Sequence, residues 1–360
     1  MTHILFAGGG TAGHIEPALA VARQWKSIHP QDRIDFLGTS TGLETRLIPE
    51  AGFNLLLITK VRIARSLSPS LILAPLTLIK SIAQCLTHLR GVDLLVGFGG
   101  YVSGPAYIAA ALRRVPIVIH EANAKPGMAN RLGALFTKNT AVAYPVTTGS
   151  LAHSLIVGLP LKENIALAFS RAEQNWGGAR VAAKSALGFD AQKPLIFVFG
   201  GSQGSAAINS VITESKGELA VRGIQILHGA GGSAEIMSSD ENYQVHPYIS
   251  DMATAYLAAD LIISRSGAVT CAEVGTLGKF ALFIPLPVGN GEQRLNAAEL
   301  VSSARAEICD QREFTSSWLI GNIERLLAKS AQCQASGSAK DIQAAAKIAS
   351  LMEFVLAGGK

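Results

Sequence analysis

Charge is scarce in this 360-residue chain: Asp, Glu, Lys and Arg make up 16% of it, against 49% hydrophobic residues. That balance belongs to a globular protein and excludes a disordered one. Aromatic residues reach only 6%, too few for base-stacking platforms, and no basic run or nucleic-acid motif appears, so nucleic acid is disfavoured as a partner. The four cysteines, Cys85, Cys271, Cys309 and Cys333, are far apart, with no C-x-x-C pair and no histidine at ligand spacing. They read as small core residues in a reducing compartment. No apolar run reaches the roughly 18 residues of a membrane span, and no charged leader precedes an apolar stretch at the N-terminus, which points to a protein kept inside the cell. A D-x-D carboxylate pair is missing too, as is any His/Cys cluster with metal spacing, so neither a metal nor another cofactor is expected.

What is present is more specific. A net charge of +5 favours anionic partners such as nucleotide sugars or phospholipid headgroups. The chain opens with an apolar run, His3-Ile4-Leu5-Phe6-Ala7, followed by Gly8-Gly9-Gly10-Thr11-Ala12-Gly13-His14 and a helix-like stretch from Pro17. Strand, glycine turn and helix in that order favour a phosphate at the turn, with Pro17 in the first helical turn. Gly8, Gly10 and Gly13 satisfy the dinucleotide-binding pattern, yet the acid that should follow the second strand, about 20 residues on, is missing. Asp35 sits inside that strand, Arg33–Gly38, which ends in Thr39-Ser40. A plain tight turn is the competing reading.

Strand-like segments recur at residues 55–58, 93–97, 117–120 and 140–143, separated by helical stretches, as in a parallel sheet covered by helices. After a polar, helix-compatible stretch from Lys162 to Gly188, a second strand, Pro194–Phe199, enters a second glycine turn at Gly200–Ser205, about 190 residues after the first. Further strands are expected at 224–227, 245–249, 261–264 and 281–284. The spacing predicts two similar domains, residues 1–160 and 161–338. A final helix follows at 339–360, with Ile342, Ala345, Ala346, Ala349 and Phe354 as candidate buried positions; either domain can receive it, the first being the one expected.

Several strand ends carry polar motifs. Gly97–Pro105 is a third glycine-rich stretch, serving either a ligand or close helix packing. His120-Glu121-Ala122-Asn123 places Asn123 where an amide bonds sugar hydroxyls, with Glu121 either contacting ligand or ordering the loop. Arg265–Glu273 puts a carboxylate near a helix start, to accept from ribose hydroxyls or to complement the helix dipole. Gly289–Ala297 reads as a polar loop entering a helix.

Six ordered motifs, GGGTAGH at 8–14, GGYVSGP at 99–105, HEAN at 120–123, GGSQG at 200–204, SRSGAVTCAE at 264–273 and EQRLNA at 292–297, resemble the family of N-acetylglucosaminyltransferases that convert lipid I to lipid II in peptidoglycan synthesis. The resemblance runs over nearly the whole chain. It implies an α/β GT-B fold, two Rossmann-like domains with parallel sheets facing across a cleft, and UDP-GlcNAc and undecaprenyl-linked lipid I as substrates. Carried onto matching positions, donor contacts are implied for Thr11, Ala12, Gly13, Asn123, Lys162, Ser202, Ile249, Ala268, Val269, Thr270, Glu273 and Gln293. Gly100, Tyr101, Ser103 and Glu121 are acceptor-side candidates. Three departures stand out: Lys162 where the family usually has Arg, which loses the planar fork, Ala12 where many relatives have Gly, and Glu292 in place of a common Gln.

The expected reaction is inverting transfer, with His14 as general base because an imidazole pKa near 6.5 suits that work; binding of acceptor phosphate is its alternative role. The resemblance also implies a peripheral protein on the cytoplasmic side of the cell membrane, with an anionic membrane surface and cell-wall synthesis proteins as partners. Residues 67–89 supply Leu71, Ile72, Leu73, Leu76, Leu78, Ile79 and Ile82 flanked by Arg62, Arg65, Lys80 and Arg90, as a lipid-facing patch or an ordinary core helix. Another UDP-sugar glycolipid transferase, a nucleotide-sugar epimerase and a non-catalytic nucleotide-sugar sensor are the rival functions; the missing acid disfavours a nicotinamide oxidoreductase. With no metal motif, the departing diphosphate is met by backbone N–H groups and helix N-termini, so EDTA is expected to leave turnover largely intact; a strict Mg²⁺ requirement in a sugar-transfer assay would overturn this.

Overall fold

The computed structural model describes residues 1–61, 70–201, 204–231, 239–288, 291–333 and 336–359, without the side chains of 70–74. Ser202, Arg62, Arg65 and the side chains of Leu71, Ile72 and Leu73 therefore lie outside the described residues. The chain divides into two compact units, Met1–Lys162 with Asp341–Lys360, and Glu163–Lys340. Both crossings fall two residues beyond the boundaries read from the sequence.

In the first unit the elements run β1 (His3–Ala7), α1 (Ala12–Ile28), β2 (Arg33–Gly38), α2 (Glu44–Glu50), β3 (Asn54–Leu57), α3 (Ser70–His88), β4 (Leu94–Gly97), α4 (Ser103–Arg113), β5 (Ile117–Glu121), α5 (Met128–Gly133), β6 (Thr140–Val142) and β7 (Leu155–Ile156). They form one sheet in the order β3-β2-β1-β4-β5-β6-β7, parallel at every pairing. Between β1 and β4 the order reverses, and ligands of such sheets bind outside the carboxyl ends at that switch point. The turns after β1 and β4 both lie there. β7 was not expected, because two exposed residues on a sheet edge carry no apolar run.

The second unit contains α6 (Glu163–Ala172), α7 (Trp176–Ala186), β8 (Leu195–Phe199), α8 (Ala206–Val221), β9 (Gln225–Gly229), β10 (Tyr243–His246), α9 (Met252–Ala258), β11 (Leu261–Ser264), α10 (Ala268–Thr276), β12 (Ala281–Phe283), α11 (Glu292–Asn296), α12 (Ala298–Ser302), β13 (Ala306–Ile308) and α13 (Ser316–Gln332). Its sheet, β10-β9-β8-β11-β12-β13, is again wholly parallel, and it repeats the reversal between β8 and β11. Central strands such as Leu195–Phe199 are buried throughout, as continuous apolar runs in doubly covered sheets must be. The cysteines are all free, three of them buried.

The last helix, α14 (Ala344–Leu356), completes the core of the first unit. Ile348, Ala349, Leu351, Met352 and Val355 pack into one cluster with Ile15, Leu19, Ala22 and Trp25 of α1. A half-exposed pair between His29 and Glu353 at 2.9 Å adds little beside that, about 0–1 kcal/mol. Burial of the apolar face carries the contact. The sequence reading holds for Ala349, which is buried, and for Ala345, which packs partly on this cluster, but Phe354 is 51% exposed and Ala346 is also exposed. The helix begins at Ala344, after a short 3-10 turn at Ala339–Asp341, and its inward residues are 344, 348, 349, 351, 352 and 355.

Pro17 also stands elsewhere than expected. It is the sixth residue of α1, where a missing N–H removes the intrahelical bond to the Gly13 carbonyl.

Truncating the inward stripe tests this phase. Ile348→Ala is expected to cost about 2–5 kcal/mol and Phe354→Ala no more than about 0.5 kcal/mol, read as shifts of the urea midpoint; equal costs would restore the sequence-derived face.

Candidate functional site

Two glycine turns meet at the switch point of the first unit. A Cβ on Gly100, whose φ is +81°, would lie 2.3 Å from the Gly9 carbonyl oxygen and 3.2 Å from the His14 ring, so only glycine allows this approach. Gly100, an acceptor-side candidate from the sequence, thus serves close packing of one turn on the other. Ser103 is likewise internal: it is fully buried, and its hydroxyl lies 2.8 Å from the Ala7 carbonyl and 2.7 Å from the Gly99 carbonyl. It fastens the end of β1 to the second turn, with no surface left for an acceptor.

His14 enters α1 at its first turn. Thr11 is the N-cap but makes no side-chain cap bond, so the positive end of the helix dipole is left to the backbone of Ala12 and Gly13, both half-buried. The His14 imidazole lies against Gly99 and Gly100. Its Nδ1 is enclosed, with no hydrogen-bond partner among the described residues. Burial lowers its pKa from 6.5, against the opposing pull of the Glu121 carboxylate. The ring is therefore neutral at pH 7, the form a general base requires.

Glu121 itself is spent on the loop after β5. It is 1% exposed and accepts from Asn123 N at 2.9 Å, Asn123 Nδ2 at 3.2 Å, Gly127 N at 3.0 Å and Asn130 Nδ2 at 3.0 Å. This is the loop-ordering role, and it corrects the acceptor-side assignment: a carboxylate so enclosed holds Asn123 in place without meeting an acceptor itself. Asn123 is half-buried beside it. Asn130, which the motif reading passed over, joins Glu121 to the Tyr107 hydroxyl, 2.7 Å away. Lys162 ends the first unit with its ammonium 2.8 Å from Glu16 of α1, so its charge is shared with an acid of this unit.

Asp35 is confirmed as unfit for a ribose. It is 2% exposed and accepts from His3 Nε2, Arg33 Nε and Asn54 Nδ2 at 2.9–3.0 Å. Burial raises its pKa, but these three donors outweigh that and hold it below the ordinary value.

In the second unit the carboxyl ends of β8, β11, β12 and β13 are joined by one buried guanidinium. Arg265 donates to the Ile284 carbonyl at 2.8 Å, the Pro285 carbonyl at 3.2 Å, Ser205 Oγ at 2.8 Å and Gln311 Oε1 at 2.6 Å. Ser205 also caps α8, accepting from Ile208 N. The neighbouring helix, α10, has Gly267 as its N-cap and no side-chain cap bond, and the hydroxyl of Ser266 just before it is buried with no partner among the described residues. An open helix start with a spare hydroxyl suits an anion.

The remaining donor-side candidates of this unit lie on α10, α11 and the loop after β10. Ala268 is buried while Val269 and Thr270 are half-buried in the first turn. Glu273 is 4% exposed and lies in the second turn, not beside the N-terminus, so the helix-dipole alternative is set aside; the Tyr256 hydroxyl donates to it at 2.9 Å. Ile249 packs on Gly229 at the end of β9, 3.2 Å from where a Cβ would be. Gln293 in α11 accepts from Leu286 N at 2.9 Å, so its carbonyl orders the preceding loop.

Sequence reasoning missed Glu44, which is fully buried beneath the first glycine turn. The pattern Thr41-x-x-Glu44 resembles a capping box, but Leu43 is the N-cap of α2 and the carboxylate turns towards Gly10 instead. Arg265 was quoted within its motif without a role of its own; a buried arginine lacking an acid nearby in sequence carries no pattern.

Comparison with known proteins follows the same division. Residues 4–142 match the glycosyltransferase family 28 N-terminal domain and residues 195–352 the family 28 C-terminal domain. A protein of Frankia casuarinae named UDP-N-acetylglucosamine–N-acetylmuramyl-(pentapeptide) pyrophosphoryl-undecaprenol N-acetylglucosamine transferase is 42% identical over 97% of this chain and 94% of its own length. A Streptomyces avermitilis protein of the same name is 43% identical over 91% of this chain and 90% of its own. Among solved structures, Acinetobacter baumannii MurG is 30% identical with a TM-score of 0.71, covering 98% of this chain and 99% of that one. A Neisseria meningitidis UDP-GlcNAc 2-epimerase, at 14% identity and a TM-score of 0.60 over 98% of this chain and 100% of that one, shares the fold alone.

Proposed function

The chain belongs to glycosyltransferase family 28 and has its GT-B fold, and from that premise we propose that it transfers GlcNAc from UDP-GlcNAc to the muramyl 4-hydroxyl of undecaprenyl-pyrophosphoryl-MurNAc-pentapeptide. The product is lipid II, with a β-1,4 linkage formed by inversion, and UDP departs. The observation that carries this is the 42% identity to a transferase of that name over 97% of the chain. An epimerase or another glycolipid transferase has no comparable support.

In this reading His14 takes the proton as the acceptor hydroxyl attacks the anomeric carbon. Its neutral ring supports the assignment, and the open start of α1 beside it accommodates developing negative charge. Donor diphosphate is assigned to the start of α10, where backbone N–H groups and Ser266 meet it, together with Ser202 of the second glycine turn. Glu273 and Gln293 are assigned to the nucleoside and sugar, each held by a bond to its own unit. No metal is needed for a leaving group so received. Lys162 keeps a positive charge at its position, but its pairing with Glu16 makes it a weaker anion contact than an unpaired guanidinium.

Access to a lipid-linked acceptor is assigned to α3. Among the described residues no helix is long and apolar enough to cross a membrane. Leu76 is 64% and Ile79 63% exposed on α3, and Lys80 and Arg90 are exposed nearby, whereas Ile82 turns inwards onto the core. Exposed leucine and isoleucine beside basic residues fit an anionic bilayer surface, each cation adding about 1 kcal/mol.

Labelled GlcNAc from UDP-GlcNAc should enter a lipid I analogue; binding of the donor without incorporation would favour a sensor. His14→Ala should cut the single-turnover rate at saturating acceptor by about 10²–10⁴-fold. In the unmodified enzyme the acid limb of kcat/KM should fall below pH 6.5, because protonation removes the base and burial lowers the pKa of His14. A variant that loses only acceptor affinity would reassign His14 to phosphate binding. Leu76→Glu with Ile79→Glu should abolish flotation with anionic liposomes, and unchanged flotation would remove α3 from the membrane contact.

A further inference from the structure

Glu44 is a buried carboxylate for which the described residues show no ion-pair partner. Burying such a charge is costly unless hydrogen bonds satisfy it, and here three donors do so. Oε1 accepts from Thr39 N at 3.3 Å and the Tyr101 hydroxyl at 2.5 Å, while Oε2 accepts from Gly10 N at 3.2 Å; Thr39 Oγ1 lies 3.0 Å from Oε1 and shares its one proton with the Thr41 carbonyl, 2.7 Å away. These donors come from three separate loops, those after β1, β2 and β4.

The surrounding chain is shaped to admit this group. A Cβ on Gly42, at φ +134°, would lie 2.5 Å from Oε2, and one on Gly38 would lie 2.9 Å from Cγ. Tyr101 is held in turn from three sides. Its hydroxyl meets Glu44, its ring edge lies against Gly10, 2.8 Å from where a Cβ would be, and the Lys60 ammonium stands 4.8 Å from the ring centroid. The ring remains half-exposed, so the tyrosine faces solvent on a surface beside His14 while the carboxylate that fixes it is wholly enclosed.

We propose that Glu44 is the positioning residue of the acceptor side: through Tyr101 and Gly10 it holds both glycine turns in the arrangement that receives the acceptor sugar. The proposal rests on the function assigned above. Glu44 cannot touch the acceptor, being fully buried, so its effect passes through Tyr101. The same contact explains why the Tyr101 phenol is pushed up to about 12, first by burial and then by donating to a carboxylate. It also accounts for the Gly10 N–H, which faces the chain's own anion and is thereby withdrawn from any phosphate at the first turn.

The test compares Glu44→Gln, Tyr101→Phe and the double variant, with folding checked by circular dichroism. Each single variant should raise KM for a lipid I analogue about tenfold, the loss expected of one hydrogen bond to a charged group, while KM for UDP-GlcNAc stays within about twofold. The double variant should be no worse than either single one, because both remove the same contact. In Glu44→Gln the Tyr101 phenol, isolated by subtracting the tyrosinate absorbance of Glu44→Gln/Tyr101→Phe, should titrate nearer its ordinary value of 10 than 12. Unchanged acceptor KM and unchanged Tyr101 titration in folded Glu44→Gln would overturn the proposal. If Glu44→Gln does not fold, Tyr101→Phe alone carries the test, since it releases the same contact from the surface end, and an unchanged acceptor KM there overturns the proposal as well. Failure of the unmodified protein to glycosylate lipid I would instead overturn the assigned function, and with it the acceptor role of this contact, whereas the phenol titration would still measure the contact itself.

Discussion

The constraint on which the site of the first unit depends is the approach of one glycine turn to another. Where the Gly9 carbonyl meets the α-carbon of Gly100, no side chain fits, and that exclusion places three groups at once. The imidazole of His14 rests on the second turn, the Tyr101 ring rests on the first, and the buried carboxylate of Glu44 binds both from beneath. Parallel topology sets the meeting, since β1 and β4 are the adjacent strands at which the sheet order reverses. A methyl group at Gly100 would part the turns and disturb all three groups together.

The two units solve the same architectural problem with opposite charges. In the first, loops at the carboxyl edge of the sheet converge on an anion, Glu44. In the second they converge on a cation, Arg265, whose bonds to two backbone carbonyls, a serine and a glutamine leave its charge uncancelled by an acid among those contacts. Each buried charge rigidifies its loops through hydrogen bonds that break only at the cost of leaving an ion unsatisfied.

Much of this was legible in the sequence because it rests on short-range patterns. Short apolar runs located β1, β4, β8 and β11, three of them running straight into glycine, and the second strand's lack of a terminal acid separated the first turn from a dinucleotide site. His14 was singled out because it stands next to that turn. Roles that depend on which strands lie side by side were not legible. Glu44 and Tyr101 are 57 residues apart and Arg265 and Ser205 are 60 apart, so neither pairing leaves a local trace. Ser103 and Glu121 were recognised as polar residues at a strand end, but polarity does not reveal whether a side chain points out to a ligand or in to a backbone carbonyl. The face of α14 was read correctly only in part, at Ala345 and Ala349, for a related reason: in an alanine-rich helix several stripes are nearly equally apolar, and the partner surface on α1 chooses among them.

That last helix has a consequence for how the protein is made. Residues 341–360 belong to the first unit but are translated only after the whole of Glu163–Lys340. At about 5–20 residues per second, the interval is on the order of 10–40 s. Throughout it Ile15, Leu19, Ala22 and Trp25 lack the helix that covers them in the finished fold. The nascent chain therefore carries an apolar groove on its first-made unit while the second is still being synthesised, and a ribosome that stalls before residue 341 releases a protein whose N-terminal half is sticky rather than merely short.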